Sequence, residues 1–478
     1  MYRTITDVRG VREYLSDSQI IAFDFETAPD EPYRNEERAA LDPHKSHIVG
    51  ISFSVEEGSA IYVPLTHKIS ENVSDPVALW EYLAEVFSDR TIIKVAHNLA
   101  FESAFLYARG IIVQKPCYDT ICAAQMTLKS NTGFRNLSDS GLKTLVPELL
   151  DTELPSFAEV TDGRYFDELD SQDTETIRYA CADSDYTLRL YHVFNAWFDR
   201  WLPKHRHIVE QIESPTAVYV GLMKYNGMLL DSALIAEKQQ QAEVKLEKLR
   251  GEITFIIGDV SIGANCSTAV FKKYLYDDLK LPVLKTTAKY QEAADDEALI
   301  LLSEWCEKNR PDLVPLFKLV QDYRRWGKIK STYIDGYAQH INAATGRIHA
   351  DLFPLGTETG RFAARKPNLQ NMPRAGNDDI GVRNFFVAPE GKVLLALDFS
   401  QIELRVGAFY CRDEKMLETY RNGGDIQPSL TKQVQAELPL QLEHGLRPFR
   451  VFLQVNSCGR EPLSPTPITQ QALHFVSA

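Results

Sequence analysis

Two short apolar runs each carry an aspartate where a strand would end: Ile20–Phe25, containing Asp24, and Val393–Leu397, followed by Asp398. A short continuous apolar run reads as a buried strand. Such a strand needs paired neighbours and covering helices. The segments after the first run supply both. His47–Ser54 and Ser59–Pro64 read as two more strands, with Glu56-Glu57-Gly58 as the turn between them, and Ile92–Val95 reads as another. Pro76–Phe87 has helical spacing, with Asp75 as cap and Pro76 at the first helical position. A long helix is expected over Asp173–Phe198, started by Ser171. The first 200 residues are therefore α/β.

The rest of the chain changes character. Residues 205–330 read as mostly helical, with a long helix rich in Leu and charge over 234–256. Its apolar spacing is too loose for a sustained coiled-coil seam, though a heptad dimer remains the plain alternative. Asn265–Thr268 looks like a cap before another helix, and Pro282–Lys289 reads as a linker. Region 345–410 returns to mixed structure. There the second apolar run is expected to form a strand ending at Asp398, and Ser400 to cap a helix through Ile402, Leu404 and Val406. From Gln427 the composition shifts: the last 52 residues hold six prolines and only seven charged residues.

Of 478 residues, 52 are Lys or Arg and 66 are Asp or Glu, for a formal net charge of −14. No apolar run approaches the roughly 18–20 residues of a membrane helix, and Met1–Asp7 has no signal-peptide apolar core. Seven cysteines, an odd count without a CxxC, argue against a disulfide framework and for a reducing cytoplasm. The net charge alone speaks against nucleic acid, but its distribution does not. Residues 1–200 hold 18 basic and 33 acidic groups, and residues 201–478 hold 34 and 33, so the acid excess lies in the first part. Residues 320–374 carry nine basic and four acidic groups. A nucleic-acid footprint needs only a basic face.

Three segments of the first part carry chemistry. Asp24-Phe25-Glu26 closes a strand, and alternation places residues i and i+2 on one face, so both carboxylates can meet one ion. Paired carboxylates suit Mg²⁺ or Mn²⁺. His97-Asn98-Leu99-Ala100-Phe101-Glu102 follows a strand and opens a helix. Tyr179 and Asp183 stand four apart on the long helix and share a face. Singly, these are a solvated strand edge, a capping Asn, a surface Glu and a half-buried Tyr.

Together they resemble the three motifs of proofreading 3′→5′ exonucleases of the Asp-Glu-Asp-Asp-plus-Tyr kind. The resemblance includes Asp42-Pro43, Gly50–Phe53, Tyr62–Leu65, Tyr118-Asp119-Thr120 and Gly141-Leu142-Lys143-Thr144-Leu145. It implies a ribonuclease H-like α/β domain, a mixed sheet with flanking helices. It further implies that Asp24, Glu26 and Asp183 hold two Mg²⁺ (or Mn²⁺) ions, that Glu102 belongs to the same site, and that Tyr179 orients the attacking water. Asn98 and Phe101 would touch the DNA 3′ end. The family usually has Asp where this chain has Glu102. The longer side chain moves the oxygens by about one C–C bond, ~1.5 Å, so reduced or retuned activity is expected. Asp185 is an alternative third acid, out of register with Tyr179.

The later motifs closely resemble family A DNA polymerases of the bacterial polymerase I type. They are Asn226–Asp231, Tyr323-Arg324, Lys328–Tyr333, Gly346–His349, Thr357–Phe362, Pro367–Pro373 and Leu397–Arg405. The resemblance implies a helical connector and thumb over 205–345 and a partial palm over 346–426, after an exonuclease domain over 1–204. In the palm, Asp398 would be a metal ligand, helped by the Phe399 carbonyl. Gln401 belongs to the same motif, and Glu403 would exclude a 2′-hydroxyl. Arg361, Gln370 and Asn371 would contact primer–template duplex, as positioning contacts that read no sequence.

After Ile426 the family's basic helix and final His-Asp-Glu turn do not appear. Without them Asp398 lacks a partner carboxylate and the triphosphate lacks its cationic clamp. The expectations are therefore a polymerase-family protein of DNA replication or repair that keeps its nuclease and lacks polymerisation, and a frame-changed or disordered tail over 427–478. Residues beyond about 345 are expected to pack poorly. The alternatives are a non-catalytic DNA-binding remnant and an exonuclease acting on RNA. The expected partner is DNA, with no membrane.

Overall fold

The computed structural model describes residues 1–128, 140–258, 269–357, 359–373, 378, 380–424 and 426. The chain forms two units, 1–392 and 393–478. The cap expected at Asn265–Thr268 and the tail from Gln427 lie outside the described residues.

The first unit begins with a six-stranded mixed sheet. Its strands are β1 (Tyr2–Thr4), β2 (Ile20–Pro29), β3 (Ser46–Glu56), β4 (Ser59–Pro64), β5 (Ile93–Ala96) and β6 (Cys117–Asp119), in the order β1-β4-β3-β2-β5-β6. β2 is central, antiparallel to β3 and parallel to β5. It fulfils the apolar run at Ile20: Ile21, Ala22 and Phe23 are buried, and Phe23 packs edge-on to Phe87 at 4.8 Å.

Among the described residues, seven helices flank the sheet: α1 (Val8–Leu15), α2 (Pro76–Ser88), α3 (Leu99–Ala108), α4 (Thr120–Leu128), α5 (Leu142–Leu150), α6 (Phe157–Thr161) and α7 (Thr174–Arg200). Asp75 caps α2 as expected, accepting from the Ala78 amide. The cap of α7 is Asp173, whose carboxylate accepts from the Glu175 and Thr176 amides. Ser171, expected to start that helix, is buried instead, and its hydroxyl donates to the Glu71 carbonyl.

A largely helical region follows. The helix Ser214–Asn226 packs on α3, and its Ala217, Val218 and Val220 join the core beneath the sheet. Gly221 permits that approach, since a Cβ there would lie 2.5 Å from the Ala100 carbonyl oxygen. Ser232–Ile257, Asp296–Asn309 and Val314–Ile329 form the rest of the helical mass. A small sheet joins Met228–Leu229, Arg347–Ile348 and Ile341–Asn342.

Three expectations for the later chain need correction. Residues just past 345 pack well: Ile348, Ala350, Val382, Phe385 and Phe386 are buried with Leu230, Ile235 and Tyr337. The strand expected at Val393–Leu397 does not form. Residues 393–399 have no regular secondary structure, and Val393 and Leu397 are 86% and 84% exposed. An apolar run becomes a strand only when another strand satisfies its backbone. The next helix, Ile402–Cys411, starts from Gln401 in the left-handed region (φ 53°) rather than from a Ser400 cap.

Candidate active site

Asp24 and Glu26 stand on one side of β2, with buried Phe25 turned to the other. Asp183 approaches from α7. Carboxylate oxygens of Asp24, Glu26 and Asp183 all lie within 4.8 Å of one another. Glu102, in the first turn of α3, is buried beside them, close enough for the Asp24 charge to push its carboxyl up.

Burial pushes the Asp24, Glu26 and Glu102 carboxyls well above the usual carboxylate range, and Asp183 upward as well. Mutual repulsion adds to burial: Asp183 acts on Asp24, and Asp24 on Glu26. Lys143, in the first turn of α5, opposes the rise at Asp24, Glu26 and Asp183. Its ammonium donates to Asp183 Oδ1 and lies 4.6 Å from the Tyr179 ring centroid. Tyr179 is buried one turn before Asp183 and is wedged by Phe166 and Phe157, with centroids at 5.9 and 6.2 Å.

A pocket of crowded acids is stable only with protons or cations in it. Glu26 Oε1 and Glu102 Oε2 are buried with no hydrogen-bond partner among the described residues. These orphaned oxygens and the all-carboxylate donor set fit a hard divalent cation. The trio Asp24, Glu26 and Asp183 is an acidic cluster consistent with a metal site.

The surroundings hold the acids in place. Gly50 faces Glu26 across β2 and β3, and a Cβ there would fall 2.1 Å from the Tyr62 hydroxyl. The bare backbone lets the Tyr62 side chain pass over β3 and bond His67 Nε2 at 2.7 Å. Asp119 anchors the turn into α3: its Oδ1 accepts from the Asn98 and Ile121 amides at 3.1 and 2.9 Å, and its Oδ2 from the Leu99 amide at 3.0 Å. Burial pushes the Asp119 carboxyl up to about 6 against the pull of those amides. Asn98 itself is exposed in the left-handed region (φ 78°), and Phe101 is half-buried against Phe105. Asp185 does not join the acids. It accepts from the Tyr2 hydroxyl and the Gly58 amide and pairs with Arg189, so its role is to tie α7 to the sheet.

The remaining sequence candidates are not part of this acid cluster. Arg361, Gln370 and Asn371 are exposed in the first unit, and the Asn371 carbonyl accepts from the Tyr333 hydroxyl at 2.6 Å. In the second unit Asp398, Phe399 and Glu403 are exposed, while Gln401 accepts from the Tyr420 hydroxyl at 3.1 Å. Lys143 and Asp119 belonged to quoted motifs, but the sequence offered no sign of their contacts.

Comparison with known proteins agrees with this layout. Residues 2–197 match the 3′-5′ exonuclease family model, and residues 232–447 match DNA polymerase family A. The chain is a family A DNA polymerase I-like protein. The polymerase match runs past Ile426. DNA polymerase I of Pseudomonas aeruginosa is 29% identical over 442 residues, covering 91% of this chain and 46% of that protein. The Treponema pallidum DNA polymerase I is 26% identical over 97% of this chain and 49% of its own length. That of Caldicellulosiruptor bescii reaches 35% over 48% of this chain and 25% of its own. The polymerase I-like chain thus spans about half the length of such relatives. The fold matches the POL domain of Pol1 from M. smegmatis, solved in complex with DNA primer-template and dNTP. The TM-score is 0.70 at 18% identity, covering 99% of this chain and 76% of that one. Among the described residues no helix is long and apolar enough to cross a membrane, and Cys117, Cys122, Cys181, Cys306 and Cys411 are free thiols.

Proposed function

We propose that this chain is a 3′→5′ DNA exonuclease that removes nucleotides from single-stranded DNA 3′ ends. The observation that carries the reading is the meeting of Asp24, Glu26 and Asp183 oxygens within 4.8 Å, with Glu102 and Tyr179 beside them. Asp24, Glu26 and Asp183 would hold two Mg²⁺ or Mn²⁺ ions, which when bound stabilise the attacking and leaving oxygens of an in-line displacement. Tyr179, fixed by its aromatic neighbours, orients the attacking water. Glu102 keeps negative charge behind Asp24. Asn98, exposed just ahead of α3, and Phe101, half-buried in its first turn, receive the 3′-terminal nucleotide. Homology to polymerase I implies DNA binding, and Arg361, Gln370 and Asn371 are the proposed duplex contacts. The proposed compartment is the cytoplasm.

The test is a 5′-labelled single-stranded DNA with Mg²⁺. Stepwise shortening is expected, and Asp24→Ala should lower its rate by about 10³-fold or more. Binding without shortening would favour a non-catalytic remnant.

Primer extension is proposed to be absent from this chain. The favouring observation is Asp398, exposed on a segment without regular structure, while the acid cluster found among the described residues is the exonuclease trio. Extension with four dNTPs that depends on Asp398 would overturn this.

A further inference from the structure

The acid pocket contains a cation that the exonuclease reading does not use. Lys143 is placed by packing rather than by its ion pair. Leu142, Leu145 and Val146 of α5 are buried in one cluster with Leu188, Phe194 and Phe198 of α7. The Lys143 backbone is therefore fixed relative to the helix that carries Tyr179 and Asp183. The side chain is 38% exposed, so its flexible stem has room to move at the pocket mouth. Its ammonium already contacts both the Asp183 carboxylate and the Tyr179 ring.

Asp183 cannot give the same oxygen fully to an ammonium and to a divalent cation. Once that carboxylate turns to a cation, Lys143 is released at the mouth of the pocket, beside Tyr179. A phosphodiester entering there is an anion among carboxylates, and a mobile point charge is a suitable partner for it.

We propose that Lys143 is a further catalytic residue of the exonuclease: it holds Asp183 in the metal-free site and, when released, pairs with a non-bridging oxygen of the scissile phosphate. This rests on the exonuclease reading. The ammonium transfers no proton and forms no covalent bond. It offsets the charge that builds on the phosphate as water adds and the 3′-oxygen of the penultimate nucleotide leaves.

The experiment compares the full chain with its Lys143→Met, Lys143→Arg and Asp24→Ala variants. Mn²⁺ binding is read from the electron paramagnetic resonance signal of free Mn²⁺. Hydrolysis is read as the single-turnover rate on labelled single-stranded DNA at saturating Mg²⁺. Lys143→Met should bind Mn²⁺ about fivefold more tightly, because no ammonium competes for Asp183. It should hydrolyse about 10²-fold more slowly. Lys143→Arg, which keeps the charge, should recover most of the lost rate.

Tighter metal binding with slower hydrolysis is a pairing that structural damage to the pocket would not produce, since damage weakens both. Lys143→Met with an unchanged rate, or with unchanged or weaker Mn²⁺ binding, overturns the proposal. If the unaltered chain leaves DNA intact, the exonuclease reading fails, and the catalytic role of Lys143 with it. An active chain whose Lys143→Met variant is equally active sinks the Lys143 proposal alone.

Discussion

Asp24 and Asp398 stand in similar local sequence, each at an apolar run of strand-forming residues. Asp24 lies on a strand paired on both sides, and the apolar residues before it are buried. Asp398 follows residues that are open to solvent, with Leu395 78% exposed. The difference shows that an apolar run supplies only the side chains of a buried strand. Its conformation comes from the neighbours that take its backbone hydrogen bonds. A carboxyl group on such a run inherits its position, and the upward push that burial gives Asp24, from those neighbours.

Stability measurements can break or sharpen the contrast. The largest effect is expected inside the first run. Phe23→Ala removes a fully buried ring packed on Phe87 and should cost about 3–5 kcal/mol, read as a lower melting temperature. A loss below about 1 kcal/mol would mean that β2 is held less firmly than its burial implies. Next, Gly221→Ala places a methyl 2.5 Å from the Ala100 carbonyl oxygen and should cost about 1–3 kcal/mol through overpacking under α3.

The same sheet contains a pH-dependent test. Lys94 on β5 is fully buried, and its ammonium donates to the Asp89 and Ile92 carbonyls. Burial pushes its pKa down to about 8. Below that pH the lysine is charged in both folded and unfolded chains, and the folded state bears the full penalty. As pH rises from about 8 towards the unfolded value of about 10.5, the unfolded chain binds more protons, so stability rises. The gain should be on the order of 1–3 kcal/mol and absent from Lys94→Met. It is measured as the difference between the two melting temperatures at neutral and alkaline pH. The smallest effect is expected in the second run. Leu395→Lys should change stability by less than about 0.5 kcal/mol, and a large loss would reveal a packing partner for this segment.

The legible part of the molecule was the part with short-range rules. Alternation put Asp24 and Glu26 on one side of β2, and the i,i+4 spacing put Tyr179 and Asp183 on one side of α7. The Asp75 cap followed from its position before Pro76. The cap of α7 was misplaced by two residues because Ser171 and Asp173 are both good capping types, and burial decided between them. The Lys143–Asp183 contact spans 40 residues and has no period to announce it. Asp119 was visible only as part of the Tyr118-Asp119-Thr120 motif, and only the fold shows its oxygens collecting amides from two separate turns. Residues 393–397 failed as a strand because pairing is a non-local fact.

The helix Ser214–Asn226 has a practical consequence for anyone isolating the part of the chain that carries the acid cluster. It seals the outer side of α3, the element that bears Glu102. A fragment stopping at residue 204 would lay that side bare to water, whereas one extended through Asn226 would carry its own lid for the acids.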